Sequence, residues 1–379
     1  MNYVMLKDVC AINMGQSPDS NSYNNTGDGI PFFQGNADFG VRYPVTRKWC
    51  SAPTKLAAPG DILISVRAPI GAMNYAKEDC CIGRGLAALT PDKSKVSPEF
   101  IFWLLKSKNI ELNSKGTGST FKAIGRKVLE ETMIPEISLE KQLEVSEILE
   151  RVYEIIQIRK EELQKLDQLI NARFVEMFGN PATPGDKFKT CKLGEVADVK
   201  SSHRVFTTEF VAEGVPFYRG TEIGVLASGQ QPEDSYRISM EHYRKIASDD
   251  SKPMRGDLLL PSICNKGQVW MVDTDEPFYY KDGRVLCISP ERSVFDSRYL
   301  QFYMKLRTEA EYPKLGSGST FAEFKIFQLK ELEVDIPPMN SQKSFDLFAD
   351  QVDKSKVAIQ KALDKTQMLF DSLMQEYFG

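Results

Sequence analysis

Gly116-Thr117-Gly118-Ser119-Thr120-Phe121 occurs twice in this chain, the second time as Gly316-Ser317-Gly318-Ser319-Thr320-Phe321. Two further blocks recur in the same order: Gly29-Ile30-Pro31-Phe32-Phe33-Gln34-Gly35 matches Gly214-Val215-Pro216-Phe217-Tyr218-Arg219-Gly220, and Gly60-Asp61-Ile62-Leu63-Ile64 matches Gly256-Asp257-Leu258-Leu259-Leu260. Solenoid repeats are only about 20–50 residues long, so a spacing of about 200 residues indicates a duplicated domain instead. The spacing differs between the blocks because the surface loops of duplicated domains diverge in length.

The composition is that of an ordinary globular protein. The 379 residues, 42% of them hydrophobic, suffice for two or three packed domains. The seven cysteines include no Cys-x-x-Cys pair, which argues against a disulfide framework or a zinc site. The amino terminus does not resemble a signal segment, and no apolar run reaches the roughly 18 residues of a membrane helix. We expect a soluble cytoplasmic protein.

The charge is unevenly distributed along the chain. The net charge is −4, yet residues 1–135 hold 16 basic against 12 acidic side chains, and residues 136–179 hold 6 basic against 10 acidic ones. The first globular region is therefore basic, and acid is concentrated in the segment after it. The charge alone does not decide between nucleic acid and other partners.

Each copy consists of a globular region followed by a long helical segment. Residues 1–138 and 187–338 alternate strand-like runs with Gly, Pro and Asn turns, and each includes one amphipathic helix. Residues 139–179 and 339–379 each begin after a proline and then keep apolar residues seven apart. The predicted fold class is α+β: two mixed α/β globular domains separated by a long antiparallel two-helix coiled coil, with a pseudo-two-fold internal repeat.

The sevenfold spacing suggests that the long helices pack on each other. Apolar positions are Leu149, Ile156, Leu163, Ile170 and Met177 in the first helix, and Phe345, Val352, Ile359 and Leu373 in the second. Sustained sevenfold spacing keeps the apolar residues in a stripe on one face of the helix, where they can pack against a second helix. Such a stripe is also compatible with packing on the helix's own domain. A helix of about 39 residues is roughly 58 Å long and would extend beyond a domain of this size, which favours mutual packing.

Familiar catalytic patterns are missing. The two histidines, His203 and His242, both lie in the second copy, so a duplicated histidine-dependent active site is excluded. Gly-Lys never occurs, so there is no Walker-type phosphate loop. The sequence favours a recognition protein over a catalyst.

The ordered recurrence resembles the specificity subunit of type I restriction-modification enzymes. The resemblance covers essentially the whole chain, although the second copy has Asn340-Ser341 where the family usually carries an acidic residue before Gln. It rests on the Gly-[Thr/Ser]-Gly-Ser-Thr-Phe loop, on Ile134-Pro135 and Ile336-Pro337-Pro338, and on Glu140-Lys141-Gln142 and Ser341-Gln342-Lys343 at the entry to each long helix.

The resemblance implies a division of labour between subunits. Each globular domain would read one half of an asymmetric two-part DNA target, and the helices would fix the unread spacer. The chain would not be an enzyme and would bind no cofactor or metal itself. Methyltransferase (modification) subunits, two of them in our expectation, would dock on it and bind S-adenosylmethionine, and restriction subunits would supply ATP- and Mg-dependent activity.

Candidate DNA-binding residues fall at matched places in the two copies. Arg and Lys pair with guanine, Asn and Gln pair with adenine, and cations and hydroxyls bind phosphates. The glycine-rich loops carry Ser119, Thr120 and Lys122, and Ser319 and Thr320; the turns after the Gly-Asp strands carry Ser65 and Arg67, and Asn265 and Lys266; the ends of the Pro-aromatic strands carry Gln34 and Asn36, and Arg219 and Thr221; further cations are Arg42, Arg47, Lys48, Arg84 and Arg284.

Plainer interpretations remain open for these residues. The glycine-rich loop is also typical of a tight turn, and a charged residue in a hairpin turn is often only solvated. For the whole chain, the alternative function is a structural adaptor whose duplicated domains bind protein ligands without DNA specificity. A fused restriction-methylation enzyme is disfavoured because its catalytic motifs are missing.

Overall fold

The computed structural model describes residues 2–118, 122–249, 251–316 and 322–379. The chain divides into two compact units. The first unit comprises Met1–Glu161 and Gln360–Gly379, and the second comprises Glu162–Ile359. Each unit therefore contains one globular region and a segment of both long helices.

The first unit contains a four-stranded, a five-stranded and a two-stranded sheet. Its strands are β1 (Tyr3–Met5), β2 (Cys10–Met14), β3 (Tyr23–Asn24), β4 (Ile30–Phe33), β5 (Trp49–Cys50), β6 (Leu56–Ala57), β7 (Ile62–Ser65), β8 (Met73–Tyr75), β9 (Cys80–Ile82), β10 (Leu86–Pro91) and β11 (Met133–Pro135). One sheet has the order β2-β10-β7-β8, the other has the order β3-β5-β4-β9-β6, and β1 pairs with β11. Its short helices are α1 (Leu6–Val9), α2 (Pro98–Ser107), α3 (Asn109–Ser114) and α4 (Arg126–Glu130), and the long helix α5 (Leu139–Phe178) follows.

The second unit repeats this strand order with different side chains. Its strands are β12 (Thr190–Lys192), β13 (Ala197–Lys200), β14 (Phe210–Tyr218), β15 (Tyr236–Ile238), β16 (Leu258–Pro261), β17 (Trp270–Met271), β18 (Tyr279–Tyr280), β19 (Val285–Pro290) and β20 (Glu333–Asp335). The order β13-β19-β16-β17 matches β2-β10-β7-β8, and the parallel pair β14 with β18 matches β4 with β9. Its helices are α6 (Leu193–Val196), α7 (Gly220–Ala227), α8 (Met240–Ile246), α9 (Ser297–Glu311) and α10 (Ile326–Lys330), and the long helix α11 (Met339–Phe378) follows.

The recurring Gly-Asp pair starts the central strands β7 and β16. Gly60 and Gly256 have φ values of 89° and 84°, a left-handed conformation that disfavours other residues. Asp61 Oδ2 accepts a hydrogen bond from Ala58 N at 2.9 Å, and Asp257 Oδ2 accepts one from Met254 N at 2.9 Å. The pair therefore closes a turn, and both following strands are fully buried.

The long helices pack on the globular part within each unit. In the first unit, the Trp103 ring of α2 lies 5.3 Å from Tyr153 of α5 and 5.6 Å from Phe370 of α11, between ring centroids. In the second unit, Phe174 of α5 lies 5.1 Å from Phe345 of α11. Both interpretations of the apolar stripe hold at once, because the same helices contact each other and their domain.

Buried glutamines anchor the start of each long helix. Gln142 Oε1 accepts a hydrogen bond from Ser97 N at 2.8 Å, and Gln342 Oε1 accepts one from Asp296 N at 2.8 Å. Ser97 and Asp296 are the N-caps of α2 and α9, so one amide joins two helix starts in each unit. The glutamine of the sequence motif thus has a structural role.

Candidate nucleic-acid interface

An open groove of about 370 Å³ in the first unit collects polar side chains from several loops. It is lined by Gln34, Asn36, Arg47, Lys48, Ser65, Arg67 and Arg84, among other residues. These residues are far apart in sequence, and the parallel pairing of β4 with β9 brings the ends of their strands together. The groove combines cations for phosphates with amides suited to base edges.

Local turns hold the groove residues in place. Gln34 N donates to Asp38 Oδ2 at 2.7 Å, which fixes the end of β4 while leaving Gln34 exposed. Ser65 is only 1% exposed, and its hydroxyl donates to the Arg67 carbonyl at 2.8 Å. Ser65 therefore shapes the turn that carries Arg67, and its buried hydroxyl already has a partner within the chain.

The second unit has a groove of about 720 Å³ at the matching place. Of the residues expected from sequence, it is lined by Arg219, Thr221, Asn265 and Arg284. Arg219 and Thr221 follow β14, as Gln34 and Asn36 follow β4. Arg284 Nη1 donates to Glu323 Oε2 at 2.8 Å. The two grooves share their position in the fold and differ in their side chains.

A buried carboxylate orients Arg219. Its Nε and Nη2 donate to the two oxygens of Glu222 at 3.1 and 2.7 Å, and Glu222 is 5% exposed. Burial favours the neutral acid, but hydrogen bonds from Arg219 and Thr221 outweigh it and lower the pKa of Glu222. The carboxylate therefore stays charged beneath the guanidinium.

Other candidate residues lie outside the groove linings. Arg42 lies 4.7 Å from the Tyr75 ring centroid, and its Nη2 lies 2.9 Å from Glu150 Oε2 of α5. The structure thus uses Arg42 in the packing of α5, because an aromatic face and a carboxylate together satisfy its charge.

Lys122 adjoins the first groove, since its carbonyl accepts from Ala68 N at 3.0 Å. Lys266 is exposed beside Gln268, whose Oε1 accepts from Lys266 N at 3.0 Å. Ser119, Thr120, Ser319 and Thr320 lie outside the described residues.

Sequence reasoning missed Glu222, Gln268 and Lys281. Gln268 and Lys281 line the second groove, and Glu222 supports it from below. Lys281 directly follows β18, the parallel partner of β14. The sequence does show that Lys281 follows a second aromatic strand, Tyr279-Tyr280, and this position could have marked it as a candidate.

Within the described part of the chain, no group of three or more His, Cys, Asp or Glu side chains is placed to hold a metal ion. All seven cysteines are free, and all but Cys191 are buried. Among the same residues, no helix is long and apolar enough to cross a membrane.

Two matched grooves thus occupy the same place on two related mixed α/β units. The family profile of the type I restriction modification DNA specificity domain matches residues 1–168 and 185–366. The chain therefore belongs to this family of DNA-specificity proteins. Its class is the non-catalytic DNA-recognition subunit of type I restriction-modification systems.

Curated relatives carry the corresponding names. A protein named as the MjaX specificity subunit of Methanocaldococcus jannaschii is 42% identical over 155 residues, which cover 41% of this chain and only 36% of that relative. The type I restriction enzyme MjaIX specificity subunit of the same organism is 25% identical, covering 97% of this chain and 90% of the relative. The EcoBI specificity subunit of Escherichia coli is 19% identical, covering 99% of this chain and 85% of the relative.

Solved structures support the fold. The type I restriction-modification S subunit from M. genitalium aligns with a TM-score of 0.56 at 15% identity, covering 100% of this chain and 96% of that one. A chain from a structure titled for complex assembly and conformational transition of the type I R-M system aligns with a TM-score of 0.59 at 20% identity, covering 100% and 97%. Both likenesses concern the fold alone.

Proposed function

We propose that each unit reads one half of an asymmetric two-part DNA sequence through its groove. The recognition domains are residues 1–138 and 187–338. The observation that carries the proposal is the pair of matched grooves, with Gln34, Asn36 and Arg67 in one and Arg219, Thr221 and Asn265 in the other. Equivalent positions with different hydrogen-bonding side chains suit two different half-sites.

In this proposal the long helices, residues 139–179 and 339–379, form an antiparallel coiled coil with pseudo-two-fold repetition. This coiled coil sets the length of the unread DNA spacer. Contacts inside each unit support this: α5 residues before 162 meet α11 residues after 359, and later α5 residues meet earlier α11 residues. In the first unit Arg159 donates to the Ala362 carbonyl and the Thr366 hydroxyl. In the second, Lys356 Nζ lies 2.5 Å from Asp167 Oδ1. Polar pairs between facing helices help to set their register and orientation.

The partners of the proposal are double-stranded DNA and two modification subunits. Apolar side chains exposed on the long helices are suited to docking, as a protein interface requires; they include Leu143, Ile158, Leu347 and Leu369. S-adenosylmethionine would bind to the modification subunits, and ATP with Mg to restriction subunits that join them. Cytoplasmic location, where the DNA is, follows from this role.

The adaptor alternative makes a different prediction about DNA. An adaptor that binds protein ligands has no need of sequence-dependent duplex affinity, whereas a specificity subunit does. The family membership favours the specificity subunit. Selection of bound duplexes from a random pool distinguishes the two functions.

The test uses the full-length chain assembled with its modification subunits and a pool of random duplexes. We expect enrichment of one two-part sequence. Arg67→Ala should relax one part only, and Asn265→Ala, in the second groove, the other part only. The matched control is Lys127→Ala, an exposed cation on α4 outside the groove. Enrichment of no sequence by the wild-type complex would favour the adaptor and refute the proposal.

A further inference from the structure

The guanidinium of Arg219 is already positioned without a ligand. Glu222 binds one of its edges, and the Tyr236 ring covers one of its faces. Arg219 Nε and Nη2 are joined to Glu222, and Glu222 also accepts from Arg219 N at 2.8 Å and from the Thr221 hydroxyl at 2.9 Å. The guanidinium carbon lies 4.6 Å from the Tyr236 ring centroid. Tyr236 in turn stacks on Phe210 at 4.6 Å with an interplanar angle of 14°. The orientation of the guanidinium plane is therefore fixed by two independent contacts.

The remaining donors of Arg219 form a fork directed away from Glu222. A guanidinium has five N–H donors, and the Nε hydrogen and one Nη2 hydrogen are committed to the carboxylate. The second Nη2 hydrogen and the two on Nη1 remain, and the side chain is 44% exposed and lines the groove. Little side-chain entropy is left to lose when this fork binds, because its support already immobilises it.

The chemistry of the fork distinguishes a base edge from a phosphate. Two parallel N–H donors match two adjacent acceptors, as in the O6 and N7 atoms of guanine, and also match a phosphate. The negative charge of Glu222 cancels much of the attraction that a free arginine has for phosphate. Cancelling that charge leaves the directional donors in place. The arrangement therefore favours an uncharged base edge.

The matched residue of the first unit is also of a base-reading type. Gln34 follows β4 as Arg219 follows β14, and Gln34 N is held by Asp38 as Arg219 N is held by Glu222. Gln pairs with the N6 and N7 atoms of adenine. Asp38 binds the backbone amide of Gln34, whereas Glu222 binds both the backbone amide and the guanidinium of Arg219.

We infer that Arg219 reads a guanine through O6 and N7 in the half-site of the second unit, with Glu222 as its positioning residue. This inference rests on the proposed DNA-reading function and adds to it the identity of one base and its reader.

The experiment selects duplexes from a random pool with the full-length chain in complex with its modification subunits. We expect the wild type to require guanine at one position of one half-site. Arg219→Ala should lower the preference for guanine there by roughly 5- to 150-fold, the usual value of a bidentate pair, and leave the other half-site unchanged. Arg219→Gln should shift that position toward adenine, and Glu222→Gln should weaken the preference without abolishing it.

Controls separate a lost reader from a damaged protein. Arg255→Ala removes an exposed arginine of the same unit that pairs with Asp275 outside the groove, and it should change nothing. An intact first half-site in each variant reports an assembled complex. Arg219→Lys keeps the charge without the fork, and gives the same readout if Arg219→Ala does not fold.

Three results would overturn the inference. If the wild type enriches a two-part sequence and Arg219→Ala keeps every base preference, or loses affinity evenly over all sequences, Arg219 does not read a base and the inference alone fails. If the position that relaxes is not guanine, the assignment also fails. If the wild type enriches no sequence, the proposed function fails and the inference fails with it.

Discussion

Gln142 Oε1 accepts the backbone amide of Ser97 at 2.8 Å, and this bond ties the first turn of α5 to the N-cap of α2. Gln142 is 2% exposed, and its Nε2 donates to the Ile137 carbonyl at 2.9 Å. The same bond joins Gln342 to Asp296 in the second unit. The orientation of each long helix on its own domain therefore depends on one buried amide.

The first prediction concerns this amide. Gln142→Ala leaves the Ser97 amide buried without a partner, and an unpaired buried donor costs about 1–3 kcal/mol. We expect a lower denaturant midpoint for the first unit, measured by an optical probe near Trp103. Gln375→Ala, at an exposed position of α11 in the same unit, is the control and should leave the midpoint in place. Equal effects from both substitutions would contradict the role assigned to Gln142.

The second prediction concerns Lys106, whose Nζ lies 4.4 Å from the Tyr153 ring centroid. Burial, reinforced by Arg42 and Lys160 and opposed by Glu150, lowers the pKa of Lys106 from 10.5 to about 8. Between those values the unfolded chain binds more protons than the folded one, so Lys106 makes stability rise with pH there.

Lys106→Met removes that contribution. The unfolding free energy of the wild type relative to the variant should therefore increase from pH 8 to pH 10, as measured by denaturant titration at several pH values. Lys127→Met, at an exposed site of α4, is the matched control for replacing a lysine with methionine. A constant difference between wild type and Lys106→Met would rule out the lowered pKa.

The third prediction concerns phosphate contacts in the first groove. Lys48 and Arg84 line it, and both are exposed. If each contacts one phosphate, Lys48→Ala or Arg84→Ala should reduce the slope of log affinity against log salt by roughly 0.9 without altering base preference. Titrations at several salt concentrations measure this slope. A slope equal to the wild-type value would remove the residue from the DNA contacts.

The fourth prediction concerns the spacer. Deleting residues 157–163 together with residues 360–366 removes facing heptads, since Arg159 contacts Ala362 and Thr366. Seven helical residues span about 10.5 Å, close to three base pairs of duplex. We expect both half-sites to persist with a spacer about three base pairs shorter, measured by methylation of spacer-length variants. An unchanged spacer preference would exclude the helices as the ruler.

The sequence predicts the parts of this structure that depend on repetition. Sevenfold spacing without Pro or Gly marks α5 and α11, and the recurring Gly-Asp pair marks β7 and β16. The grooves could be anticipated because Gln34, Arg67 and Arg219 each follow a strand.

What the sequence could not supply is the partner of each polar side chain. Arg42 and Arg47 lie five residues apart, yet Arg42 packs over Tyr75 while Arg47 lines the groove. Ser65 and Arg67 share a turn, and only the structure distinguishes the buried hydroxyl from the exposed guanidinium. The sequence did not mark Glu222 as a candidate, because its role depends on its contact with the Arg219 guanidinium.

The central claim is that two different grooves on one chain read two halves of a single DNA target. Its most direct test is to express the chain with its modification subunits in cells that lack adenine methylation, and to map modified adenines genome-wide. The account predicts one asymmetric motif whose two specific parts are separated by an unread spacer of fixed length. A continuous motif with no spacer, a symmetric motif, or no motif at all would contradict it.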